Sequence, residues 1–123
     1  MTLATYADAP VFSNAGFVFR SLAVPSRGSA ELAVWSLEAG PGATSELHTV
    51  DREEVFVLHE GRVIVEVDGD AHELGPGDAA MSVPGRPLRL RNPGAQPAWL
   101  TVCTSKGITG VVDGVTIAPP WAR

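Results

Sequence analysis

Cysteine is almost missing from this 123-residue sequence. Cys103 stands alone, so no intramolecular disulfide can form. It lies in the apolar run Trp99-Leu100-Thr101-Val102-Cys103 and is expected to be a buried structural thiol rather than a nucleophile. Basic residues are few: 9 Lys and Arg against 14 Asp and Glu give 9 − 14 = −5. The arginines are scattered and form no stripe, which argues against a nucleic-acid partner. A long hydrophobic run is also lacking, and Met1-Thr2-Leu3-Ala4-Thr5-Tyr6 has no basic start. No signal peptide or membrane span is expected, and the chain is read as cytoplasmic. Helical periodicity is nearly absent, and 13 glycines and 10 prolines would interrupt any long helix.

What remains is a single domain's worth of chain, 45% hydrophobic and only 19% charged, enough for one packed core and too apolar for disorder. Between the Gly and Pro punctuation stand short runs rich in β-branched residues. Strands are expected over 30–37, 54–58, 62–67, 71–74, 80–83, 88–91 and 98–104. Asp68-Gly69 is a hairpin turn signal; Gly75-Pro76-Gly77-Asp78 and Asn92-Pro93-Gly94 are further turns. Short strands at this spacing make an all-β sandwich or barrel. Alternation assigns faces: Leu88 and Leu90 point inward and Arg89 and Arg91 outward, while Glu54, Phe56 and Leu58 share one face. Glu46, His48 and Val50 share another if that segment is extended.

One spacing carries more. Gly42, His48, Glu54 and Gly61, with Val50 two residues after His48, resemble the first motif of the cupin superfamily, G-x5-H-x-H-x3-E-x6-G. The stretch from Gly77-Asp78 through Pro84 to Asn92 is similar to the second motif. The likeness covers roughly 30–104. It implies a cupin-type double-stranded β-helix, a jelly-roll barrel, with 1–29 as an N-terminal arm and edge strands, 30–104 as the conserved barrel, and 105–123 as a C-terminal strand and tail. The family includes dioxygenases, isomerases, epimerases, polyketide cyclases, sugar-binding regulators and storage proteins, so the fold does not choose the function.

In metal-binding members the ligands are both histidines and the glutamate of the first motif, plus a histidine of the second. His48 and Glu54 occupy two of those places. Val50 and Leu88 occupy the other two and cannot coordinate. No tightly bound cofactor is expected; a weakly held divalent Zn, Fe, Mn or Ni on His48 and Glu54 is the alternative, with Glu46 as a substitute carboxylate ligand. The ordinary reading of Glu46 is a solvated rim residue, and most of the run Asp51-Arg52-Glu53 is read as loop surface. His59 and His72 match no ligand position and are expected to be exposed.

The expected pocket wall is apolar: Phe56, Met81, Val83, Leu88, Leu90 and Trp99, with Val50. Such a wall suits a small organic ligand. For Trp35 and Trp121 a subunit interface is the alternative place. Three functions stay open. The first is acid–base catalysis of an isomerase, cyclase or dehydratase type, with His48, Glu54 and Glu46 as its groups. The second is a metal-dependent, oxygenase-like cupin with a reduced ligand set, and the third is a non-catalytic binding module. The apolar segment Val11 to Phe19 predicts a homodimer formed through a covered edge.

Overall fold

A computed structural model describes all residues, 1–123, and the chain is strand-dominated with no α-helix. The strands are β1 (Val11–Asn14), β2 (Phe17–Ser21), β3 (Leu32–Ala39), β4 (Thr49–Val50), β5 (Val55–Glu60) and β6 (Val63–Val67). They continue as β7 (Asp70–Leu74), β8 (Ala79–Met81), β9 (Leu88–Arg91), β10 (Ala98–Ser105), β11 (Gly110–Val112) and β12 (Val115–Ile117). Single 3-10 turns occur at Pro25–Arg27 and Pro120–Ala122.

All pairing is antiparallel. The largest sheet runs β1-β2-β3-β10-β5-β8, and two smaller ones run β12-β11-β4 and β7-β6-β9. Isolated bridges Thr44↔Arg91 and His48↔Leu88 tie the segment leading into β4 to β9, so the small sheets continue into one another. The expected all-β architecture is present as packed antiparallel sheets. The edge strands β1, β8, β7 and β12 each pair on one side only, so hydrogen bonding does not close the sheets into a barrel.

Side-chain alternation explains the core. In β10, Ala98, Leu100, Val102 and Thr104 are buried, while Trp99, Thr101, Cys103 and Ser105 face the other way. The opposed row Leu37–Leu100–Leu58 is at most 3% exposed at each position. Burying each such leucine stabilises the fold by about 1.5–3 kcal/mol. Cys103 therefore departs from expectation: strand parity places it half-buried on the outer face, outside the core.

The expected strands are all present with shifted ends. β3 begins later and extends to Ala39, and β5 runs on to Glu60. His59 belongs to a bulge in β5, where Leu100 pairs with Leu58 while Trp99 pairs with Glu60. Asp68-Gly69 makes the β6–β7 hairpin, with φ of 51° and 86°. Asp113-Gly114, at 49° and 75°, does the same between β11 and β12. Positive φ at both central positions matches the twist of the flanking strands.

Candidate functional site

The inner faces of the sheets line a cavity of 260 Å³, and among its lining residues Asn14, Ala15, Glu46 and Ile117 are exposed. Its walls come from distant parts of the chain: Phe17 and Phe19 of β2, Trp35 and Leu37 of β3, Phe56 of β5 and Leu90 of β9. The C-terminal segment closes it with Ile108, Val112, Ile117, Pro119 and Trp121. Phe19 and Trp121 stack, with ring centroids 3.7 Å apart and planes 12° from parallel.

His48, Glu54 and Glu46 all reach this cavity, as does Val50. His48 sits just before β4 and is fixed by a reciprocal backbone pair with Leu88: His48 N–H donates to the Leu88 carbonyl at 3.0 Å, and Leu88 N–H to the His48 carbonyl at 2.7 Å. Its ring Nδ1 lies 2.8 Å from the Glu46 backbone carbonyl. A carbonyl only accepts, so Nδ1 carries the hydrogen, and in the neutral ring Nε2 presents a lone pair.

Glu54 is clamped by Ser82. Its N–H donates to Ser82 Oγ at 2.9 Å, and its carbonyl accepts from the Ser82 N–H at 2.9 Å. Glu54 lines the cavity together with Phe56, Val102 and Ile108 and is 5% exposed. Burial alone pushes its carboxyl up to about 7, because no charge or hydrogen bond within the chain offsets the lost hydration. Glu54 thus has no charged partner within the chain. Glu46 is exposed at the mouth.

The expected wall needs correction. Phe56, Leu90 and Val50 line the cavity. Met81 and Val83 do not: Met81 ends the edge strand β8, Val83 lies just beyond it, and they are 59% and 50% exposed on a separate surface cleft. Trp99 is on the outer face of β10, where the Arg20 guanidinium lies between it and Tyr6, 5.9 and 5.3 Å from the two ring centroids. Leu88 is fully buried in the core opposite His48 and adds no surface to the cavity. Trp35 and Trp121 line the cavity. His59 and His72 are exposed as expected; His59 Nε2 is 2.7 Å from Thr101 Oγ1. Parity along β3 could have found Trp35 and Leu37. The Asp113-Gly114 turn, between Val111-Val112 and Val115-Thr116-Ile117, was the available signal for the C-terminal hairpin.

Residues 34–103 match the family described as "Cupin domain". The chain belongs to the cupin family. No curated protein sequence matches it. Among solved structures this cupin is similar to the polyketide cyclase RemF from Streptomyces resistomycificus, at 20% identity and TM-score 0.74, over 85% of this chain and 79% of that one. It is similar to a sugar phosphate isomerase from Silicibacter pomeroyi at 20% identity and TM-score 0.71, covering 91% and 82%. An oxalate decarboxylase from Bacillus subtilis matches at 20% identity and TM-score 0.77, covering 87% of this chain and 30% of that one. At these identities the likeness establishes the fold.

Many cupins hold a metal, and the residues here do not fit one. At two of the four places that the motif likeness assigns to ligands stand Val50 and Leu88, whose hydrocarbon side chains have no donor atom. No group of three or more His, Cys, Asp or Glu side chains is placed to hold an ion. A zinc site ordinarily needs at least three protein donors. No helix is long and apolar enough to cross a membrane.

Proposed function

We propose that this single-domain cupin is a small-molecule enzyme that moves a proton on a ligand held in the cavity, without a tightly held metal. The observation that supports it most is the Glu54 carboxyl, buried in an apolar wall with no partner of its own. An acid held near neutrality serves as a proton donor at working pH. His48 lines the same cavity with its tautomer set by the Glu46 carbonyl, so Nε2 is the complementary base. In this reading His48 removes a proton from a carbon next to a carbonyl, Glu54 protonates the carbonyl oxygen, and return of the two protons at different positions gives isomerisation. Glu46 acts at the mouth, by orienting His48 through its backbone.

The reading includes a cytoplasmic homodimer, supported by β1, an edge strand that leaves Val11 56% exposed.

The test is hydrogen exchange from D2O into a panel of enolisable ketones, followed by mass spectrometry. Wild type should incorporate deuterium into at least one compound, and Glu54→Gln and His48→Ala should each lower the rate by about 10²–10⁴-fold. A wild type that binds such a ketone without any exchange is a binding module and overturns the catalytic reading.

A further inference from the structure

We propose that two copies of this chain pack face to face through the outer surface of the six-stranded sheet, around Val57 and Thr101. The proposal rests on the homodimer read above and gives that dimer its contact face; it does not depend on the proton-transfer chemistry.

Composition comes first. An antiparallel sheet with one face on the core ordinarily turns polar and charged residues to water. The small sheet β7-β6-β9 does so. Its outward side carries Ala71, Glu73, Ile64, Glu66, Arg89 and Arg91, four of them charged, and Arg89 Nη1 lies 3.9 Å from Glu66. The large sheet does the opposite. Val34, Cys103, Val55 and Met81 form one outward row across β3, β10, β5 and β8. Ser36, Thr101, Val57 and Ala79 form the next. Neither row contains a charge. None of the eight residues is buried, and Met81 is 59% exposed. An uncharged strip this broad on a surface marks a contact site.

Charge chooses the occupant. The chain carries −5, so two copies repel unless their charged surfaces stay apart. Towards β2 the first charges met are Arg20 and Glu38, opposite in sign and 3.8 Å apart, so they cancel. A two-fold axis sets the residues beside it against their own copies. A charge there would face a like charge, whereas Val, Ser and Thr meet themselves without penalty. A second copy of this chain therefore fits the strip, which is neutral, flat and compatible with itself.

Size allows it. Val18, Glu38 and Trp99 begin a third outward row. Three rows over six strands span roughly 20 by 29 Å, about 600 Å². The exposed Leu3 and Tyr6 extend that area, since the Tyr6 ring lies 5.3 Å from the Arg20 guanidinium. Stable complexes bury about 600–1,000 Å² per partner. Two such faces pack about 10 Å apart with their strands crossing at about 30°.

The test combines light scattering with the reactivity of Cys103, the sole thiol. Wild type should be dimeric at micromolar concentration. Val57→Lys sets a cation on both sides of the contact and should weaken the dimer by about a hundredfold or more. Ile64→Lys, on the charged outer side of the small sheet, should leave it intact. Wild-type protein gives a second reading that needs no variant. Cys103 is half-buried in the outward row, and dithiobisnitrobenzoate should modify it several-fold more slowly in the dimer than after dilution to monomer. Should Val57→Lys fail to fold, this reading decides alone. A folded Val57→Lys dimer of wild-type strength, or a dimer whose Cys103 rate does not change on dilution, places the contact elsewhere; that overturns the proposed face and keeps the homodimer. A wild type that stays monomeric overturns both and leaves the strip to a different occupant. The D2O assay is independent of these arms and tests the catalytic reading by itself.

Discussion

His48 and Leu88 face each other across an antiparallel bridge whose two hydrogen bonds are 3.0 and 2.7 Å long. Directly opposed residues project to the same face. By the motif spacing Leu88 takes the place of a second-motif histidine; its side chain lies in the core, while Val50 lines the cavity with His48.

Restoring both imidazoles should therefore restore a metal site. Val50→His with Leu88→His adds two donors to His48 and Glu54 in a preorganised scaffold. Without metal, each buried ring costs about 1–3 kcal/mol. With saturating zinc or nickel the variant's Tm should rise by roughly 5–10 °C, while wild type barely responds. A folded variant with no response in differential scanning fluorimetry would show that these backbone positions do not converge.

Glu54 makes stability depend on pH. Its carboxyl goes from 4.5 in the unfolded chain to about 7 in the fold. The folded state then holds the proton more tightly, so this stabilisation is fully present below 4.5 and is lost as pH rises through about 7. The group should cost about 3 kcal/mol at pH 8 relative to pH 4. Asp51 and Glu73 shift in the opposite direction, so their effect falls at lower pH and leaves the window from 5 to 8 undisturbed. Urea melts at pH 5 and pH 8 should show Glu54→Gln gaining on wild type at the higher pH. Parallel curves would mean that the carboxyl is hydrated in solution.

The motif residues that do not enter the cavity should matter for folding. Asn92 is 1% exposed; its Nδ2 donates to the carbonyls of Ala39 at 3.1 Å and Gln96 at 2.7 Å, and its Oδ1 accepts from Gly94 N–H at 2.8 Å. Asn92→Asp sets a carboxylate against two carbonyl oxygens and should destabilise by about 3 kcal/mol in urea melts. Wild-type stability in that variant would sink the account.

Gly61 has φ of +89°, and a Cβ there would meet Ala98 Cα and the Pro97 carbonyl at 2.8 Å. Gly61→Ala combines left-handed strain with a backbone clash and should cost roughly 2–4 kcal/mol by the same melts.

Trp121 closes the cavity from the C-terminal end. Removing its ring in Trp121→Ala loses the Phe19 stack and opens the wall, for about 2 kcal/mol of stability. Affinity for an aromatic ketone used as a probe should fall about tenfold, since one aromatic face is gone. Unchanged affinity would place the probe elsewhere.

Much of this protein was decided locally. Period-two alternation in 88–91 and 98–104, the Asp68-Gly69 turn, and the spacing from Gly42 to Gly61 specify strands, hairpins and the His48–Glu54 pair, because strand parity and turn conformation depend on neighbouring residues alone. Tertiary structure decided which apolar residues meet. Met81 and Val83 have core-like side chains, but β8 is an edge strand, so they face solvent. Trp99 and Cys103 fall on the outward parity of β10, where Arg20 and Tyr6 cover the tryptophan. Trp35 and Trp121 are 86 positions apart (121 − 35) and share one cavity wall only because the C-terminal segment folds back over β2 and β3. No local pattern encodes such a meeting. Burial, and with it the raised proton affinity of Glu54, belongs to the assembled sheets rather than to any stretch of the chain.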